Sequence, residues 1–231
     1  MMTEFPQERI VPWAAARSIF GATAVMGELD GMTQKLEPVL LSGDRISIGK
    51  KGLVFKQDSL LRAIKSGFSM PELFPILMNP FSAIKAIITL KRISRFYDPK
   101  LNLGKSLPVI LRAGLETVTV YLNHHSRFYG MFSDFSDELI TFNLAGSEPI
   151  GWLRRSTEGL FTAGSEPAVG NPSVELTFLN KEIAFEGLLR GIDQLGATAS
   201  GEMMIQGRLP LMDKIGYVSR IAQKEVPQPR L

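Results

Sequence analysis

An α+β fold is predicted for this 231-residue chain, with a mainly helical part over residues 1–112 and a sheet-and-helix domain over 113–231. Three observations carry this. Apolar residues recur at helical spacing through 13–29 and 81–97. Short stretches alternating apolar with polar residues crowd the second half. The segment from Val174 to Val218 reads strand, helix, glycine-rich bend, strand, helix.

The first elements are helix, hairpin and helix. Pro12 suits the first turn of a helix over Trp13–Leu29, along which Ile19, Ala22, Val25, Met26 and Leu29 recur. Gly21 and Gly27 weaken that helix and let it lie close to a neighbour. Arg45–Ile48 and Leu53–Phe55 form a hairpin turning through Gly49-Lys50-Lys51-Gly52. Asp58 is placed to cap the next helix, which carries Leu60, Leu61 and Ile64 and ends at Gly67. Pro71, Pro75 and Pro80 then divide the path of the chain into short pieces.

Phe81–Tyr97 is predicted to be a two-faced helix. Ala83, Ala86, Ile87, Leu90, Ile93 and Tyr97 form its core stripe, and Ile84, Lys85, Ile88, Arg92 and Arg95 its outer side. Isoleucines ringed by cations suit an anionic membrane surface. A boundary is expected within or just after the punctuated stretch from Asp98 to Pro108.

In the second half, Val118, Val120 and Leu122 alternate with Thr117, Thr119 and Tyr121, which predicts a first strand. Ile140, Phe142 and Leu144 repeat the pattern. Ala-Gly-Ser-Glu-Pro occurs at 145–149 and again at 163–167, marking two turns of a meander, with Trp152 and Leu160–Phe161 as strand material between them. Val174, Leu176 and Phe178 alternate with Glu175 and Thr177. A helix carrying Ala184, Phe185, Leu188 and Leu189 closes at Gly191. A strand from Glu202 to Gln206 and a helix with Leu211, Met212, Ile215 and Val218 complete the chain.

Composition narrows the functions. Hydrophobic content of 45% with 21% charge is ordinary for a globular protein. A net charge of +3, without basic runs interleaved with aromatics, gives nucleic acid little to bind. The chain has no cysteine, which removes disulfides, thiolate metal sites and thiol catalysis and suits a reducing compartment. Acidic Glu4 and Glu8 near the start do not suit an export signal, so a cytoplasmic location is expected. Pro75, Pro80 and Lys85 interrupt the apolar window 73–90 as a membrane span. Pro229-Arg230-Leu231 has the basic-then-leucine ending of a peroxisomal tag, with proline where a small residue is wanted.

The sequence shows no catalytic constellation. His124 and His125 are adjacent and point apart on a strand or loop, a poor pair of metal ligands. Gly104-Lys105-Ser106 lacks the first glycine of a phosphate loop, and no Gly-x-Ser-x-Gly elbow occurs. Asp134, Asp137 and Glu138 are read as a solvated loop before a strand. No catalytic residue, metal or cofactor is expected, and the protein is not expected to be an enzyme.

In their order and spacing, the features from Glu138 to Ala222 resemble the sterol carrier protein type 2 family of lipid-transfer domains. They are Ile140-Thr141-Phe142-Asn143-Leu144-Ala145-Gly146, Trp152-Leu153, Gly159-Leu160-Phe161, Val174-Glu175-Leu176-Thr177-Phe178, Leu188-Leu189-Arg190-Gly191 and Gly201-Glu202-Met203-Met204-Ile205-Gln206-Gly207. The resemblance implies a five-stranded sheet with helices on one face and an apolar tunnel between the layers. Its ligands would be sterols, fatty acids, acyl-CoA or other long-chain lipids. Carried over, the lining is Phe142, Leu144, Trp152, Phe178, Phe185, Leu189, Met203, Ile205, Met212 and Ile215. Arg208 departs from the family's frequent acid after the last strand's glycine, and the first ~110 residues have no counterpart in the simplest members. Non-catalytic lipid carriage is the leading expectation. The alternative is an accessory subunit presenting a lipid-like quinone precursor to partner enzymes.

Overall fold

The computed structural model describes residues 5–30, 34–41, 43–49, 53–67, 69–98, 100, 102–128, 130–191 and 193–228, with Asp30 and Gln194 described by backbone alone. The terminal Pro-Arg-Leu and residues 50–52 of the expected hairpin turn lie outside them.

After a short 3-10 turn, α1 runs from Ile10 to Asp30. By length and composition it is apolar enough to cross a bilayer. Its apolarity is accounted for inside the fold, where Ala14, Ala15, Ala16, Ala22 and Met26 are buried. The expected hairpin forms as β2 (Arg45–Ile48) and β3 (Leu53–Lys56), and β1 (Pro38–Leu40) pairs with β2 to make a three-stranded antiparallel sheet. Three residues are too few to show a period, so β1 left no mark in the pattern.

α2 (Gln57–Ser66) ends on Gly67 at φ 70°, as expected of a left-handed cap. The expected cap at its start is corrected. Asp58 lies inside the first turn, Lys56 holds the N-cap position, and no side chain closes that end. α3 (Leu73–Met78) comes next, then α4 (Pro80–Arg95), with Pro80 in the first turn where its missing N–H costs nothing. α4 buries Ala83, Ala86, Thr89 and Ile93. Ile87, expected in that stripe, is 48% exposed.

The larger correction is α5, which runs unbroken from Leu103 to His124, with the Asn102 side chain accepting from the Gly104 N–H at 3.0 Å. Residues 117–122 are therefore helix and not a strand. Every residue from Leu115 to Leu122 is buried. A helical stretch enclosed on all sides has no polar face to reveal its 3.6-residue period, so alternating Val and Thr imitated a strand. Positions 112 and 113, where the sequence divides by pattern, lie inside this helix.

The second half is α+β as predicted. Strands β4 (Glu138–Leu144), β5 (Gly151–Arg155), β6 (Phe161–Gly164), β7 (Val174–Phe178) and β8 (Met203–Gly207) form one sheet in the order β6-β5-β4-β7-β8. β4 and β7 are parallel, with Phe142 opposite Leu176 and Leu144 opposite Phe178, and the other pairs are antiparallel. Both Ala-Gly-Ser-Glu-Pro copies lie at strand ends, the first following β4 and the second beginning in β6. Ile140, Phe142, Leu144, Val174, Leu176, Phe178 and Met203 are buried on one face. Against that face lie α5, α6 (Lys181–Arg190) and α8 (Leu209–Glu225). α7 (Gln194–Ala199), unanticipated, precedes β8.

Arg208 now has a reason. It pairs with Glu138, which is 2% exposed at the start of β4, so a cation after β8 answers a buried acid across the sheet.

Two apolar cores result, and both use α1 and α5. Leu107, Ile110, Leu111, Leu115, Val118 and Tyr121 face the large sheet, while Val109 and Ala113 join Ala16, Ile19, Ala22 and Met26 in the core of the small one. Where the helices meet, Glu116 is buried. It accepts from Arg112 Nη2 at 2.9 Å and from Arg17 Nε at 3.0 Å. A Cβ on Gly21 would stand 2.7 Å from the Arg112 carbonyl oxygen, so glycine sets how near α1 lies.

Gly21→Val is expected to lower unfolding free energy by about 2 kcal/mol, from overpacking against backbone that has nowhere to move. Glu116→Ala, which strands two guanidinium groups, is expected to cost about 3 kcal/mol. Urea unfolding of each variant against the parent reads both values.

Candidate functional site

A cavity of about 160 Å³ lies between the sheet and its helices. Its floor is Phe142 on β4 with Leu176 and Phe178 on β7, which parallel pairing sets side by side. One wall is the α5 face Ile110, Gly114, Thr117 and Val118, at i, i+4, i+7 and i+8. Leu188 on α6 and Met212 and Ile215 on α8 close the other side. The interior is apolar because each element turns its apolar side inward here.

Two glycines line the cavity. Gly114 sits mid-helix, where glycine costs about 1 kcal/mol relative to alanine. It is exposed between two buried neighbours, Ala113 and Leu115, and a Cβ there would meet nothing within 4 Å. That room is unfilled although filling it would strengthen the helix. Gly216 on α8 lines the cavity from the other side.

Polar groups gather where α6 and α8 end. Gln228 donates through Nε2 to the Leu189 carbonyl at 3.0 Å, and Gln223 donates to the Leu188 carbonyl at 3.4 Å. These bonds tie the C-terminal ends of α6 and α8 together across the mouth. Among the described residues lining the cavity, Arg220 is the single charged one, and it is exposed. The same end of α8 is tied to α5 by Tyr121, whose hydroxyl donates to Glu225 at 2.8 Å. Burial first, then the Glu225 carboxylate, push the Tyr121 phenol far up. Tyr97, just past α4, also lines the cavity.

Of the ten residues expected to contact ligand, Phe142, Phe178, Met212 and Ile215 line the cavity. Leu144, Phe185 and Met203 are buried in the adjoining core, where Leu189 and Ile205 pack at its edge. Trp152 lies on the opposite face of the sheet, over Gly164, donating through Nε1 to the Glu166 carbonyl at 2.7 Å. The sequence pattern does not place Ile110, Gly114 or Val118 in the lining, because it predicts a strand and a linker where α5 runs. It also missed Arg220, a lone surface cation whose pattern carries no signal.

The groups weighed for catalysis have other partners. Asp137, at φ 50°, accepts from Arg154 Nη2 at 2.8 Å, and Glu138 is held by Arg208. The His124 ring packs tilted against Phe5 with centroids 4.8 Å apart, and its pKa is lowered by burial and then by Arg17. The His125 ring contacts Tyr121 and Phe128.

Several solved structures are similar to this chain, two of them as follows. One is titled "UbiJ-SCP2 Ubiquinone synthesis protein", at TM-score 0.39 and 16% identity, and the match covers 50% of this chain and 96% of that one. The other is the sterol carrier protein domain 2 of Helicoverpa armigera, at TM-score 0.37 and 14% identity, covering 50% of this chain and 89% of that one. No family model matches the chain, and no curated protein matches it. Each match leaves half of this chain uncovered.

Tyr97 supplies a pH dependence. Although part of its side chain keeps solvent contact, burial pushes the phenol up to about 12 from 10.0. A group whose folded pKa is raised contributes stability that is fully present below pH 10 and lost as pH rises toward 12. Tyr97→Phe is expected to flatten the fall in stability across that window, read by urea unfolding at successive alkaline pH values.

Proposed function

We propose that this protein binds a long-chain amphiphile, its tail between the sheet and α5 and α8 and its acidic head at the mouth beside Arg220. The observation that carries this reading is Gly114. A helix-interior glycine that lines the cavity, and whose Cβ would meet nothing within 4 Å, is a stability cost without a packing return, which suits a cavity meant for a guest. Each enclosed methylene contributes roughly 0.8 kcal/mol, so a chain of about a dozen carbons binds without an ion pair after association costs.

The cavity is smaller than the roughly 300 Å³ at which small-molecule pockets begin. A long chain therefore needs more room than the floor and walls enclose. Met212, with its flexible thioether, and Leu188 are the side chains to give way. The two glutamine bonds at the mouth are the ones to open. The role we assign is carriage rather than catalysis, in a cytoplasmic setting that the lack of cysteine suits. An accessory subunit that holds a lipid for partner enzymes would use the same cavity, and fixed-ratio co-purification with those enzymes would distinguish it.

The test is titration of delipidated protein with a fluorescent fatty acid. Saturable micromolar binding is expected, and its absence refutes the reading. Gly114→Leu should raise thermal stability while abolishing binding. Loss of both would make position 114 ordinary core. Arg220→Ala should weaken the fatty acid by about fivefold, the effect of ~1 kcal/mol for an exposed ion pair, and leave a neutral sterol unchanged.

A further inference from the structure

Helices in the first half of the chain keep an apolar surface that the fold does not cover. Nine large apolar residues between Met70 and Ile88 are exposed, among them Phe74 at 74%, Leu77 at 77% and Phe81 at 81%. Single exposed apolar residues need no explanation, but nine in so short a stretch do. The turn at Asn79, with φ −142° and ψ 64°, joins α3 to α4, and α4 alone turns its alanines inward. α3 has no buried residue at all. Six consecutive residues, Leu-Phe-Pro-Ile-Leu-Met, thus form a helix without a fully enclosed side chain.

Charge says what this surface faces. Between Glu72 and Asp98 the chain has four cations, Lys85, Lys91, Arg92 and Arg95, and no acid. At 100° per residue, Phe81, Ile84 and Ile88 fall along the centre of the outer side of α4, with Lys85 and Lys91 to either side and Arg95 one further turn along. Lys85, Lys91 and Arg95 are exposed. Apolar residues at the tip with cations flanking and behind them match a bilayer, whose acyl region takes the first and whose anionic headgroups take the second.

We propose that α3 and α4 form a membrane-docking hairpin that inserts Phe74, Leu77, Met78 and Phe81 into the interface of an anionic bilayer. The sequence pattern alone pointed to Ile84, Lys85, Ile88, Arg92 and Arg95. The structure adds α3 and Phe81 as the inserting part. From Ile88, α4 leads to Tyr97 on the cavity wall, about 13 Å further at 1.5 Å per residue. The docking surface and the cavity thus share one short lever. The inference stands on the surface itself and holds whether or not the cavity takes lipid.

The full chain should float with vesicles of phosphatidylcholine and phosphatidylglycerol, and much less with phosphatidylcholine alone. Lys85→Ala, Lys91→Ala and Arg95→Ala should each weaken binding to the mixed vesicles by about fivefold. Phe74→Ser combined with Phe81→Ser should remove flotation while the melting temperature holds, because both side chains are exposed. Wild-type protein that stays at the bottom of the gradient with both vesicle types would overturn the proposal. So would flotation indifferent to the Phe substitutions. A concentration-dependent dimer in sedimentation, dissolved by the same two substitutions, would also overturn it and assign the face to a second copy of the chain.

Discussion

The burial of Glu116 between two arginines is the constraint on which the rest of the molecule turns. An uncompensated carboxylate there would be very costly, so Arg17 from α1 and Arg112 from α5 must both arrive. Their arrival fixes the rotation and axial register of α1 against α5. Once these two helices are locked, one side of the pair receives the small sheet and the other the large one. Neither core closes without the pair, so the two halves of the chain share their most buried helices.

That sharing explains which parts of the fold were legible in the sequence. Strand β7 was plain, because it pairs an enclosed face with a wetter one and so alternates. β4 was plain because Thr141 and Asn143 alternate with Ile140, Phe142 and Leu144, although nearly all of the strand is buried on both faces. The β2–β3 hairpin and the glycine ending α2 were plain for local reasons of turn geometry. α5 was not, because its environment comes entirely from residues distant in the chain. Thr117, Thr119 and Glu116 are buried by tertiary contact, and no local rule announces that. The division at 112–113 rests on the same pattern, and those positions lie inside α5.

The candidate site was legible to a different degree. Alternation finds every inward-facing apolar residue, but it does not say which of them border empty space. Phe142 and Met203 have the same signature, yet one faces the cavity and the other the packed core. A gap is the difference between two surfaces, and sequence describes them one at a time. Gly114 was the missing clue, and it becomes readable only once the segment is known to be helical. The exposed α3 surface has the same character. Its composition could equally have been core, and only the placement of α1 and α4 shows that it is not.

The position of the cavity follows from the way the shared helix is held. α5 is pinned toward α1 by the Glu116 cluster on one side. On the other, Leu111 comes so near the sheet that a Cβ on Gly151 would stand 2.9 Å from it. Those two fixed approaches set the height of α5 above the strands. Between the close approach at Gly151 and the Tyr121–Glu225 bond, the opposing faces of α5 and α8 carry glycines at 114 and 216, and small residues there leave a gap that the flanking contacts do not let collapse. Because α5 is fixed on both sides, the gap can widen mainly on the side away from it, where two glutamine side chains join α6 to α8. Those are single hydrogen bonds between partly exposed groups, each contributing about 1 kcal/mol. The end of the cavity where α6 meets α8 is thus held by weaker bonds than the buried Glu116 cluster that fixes α5 against α1.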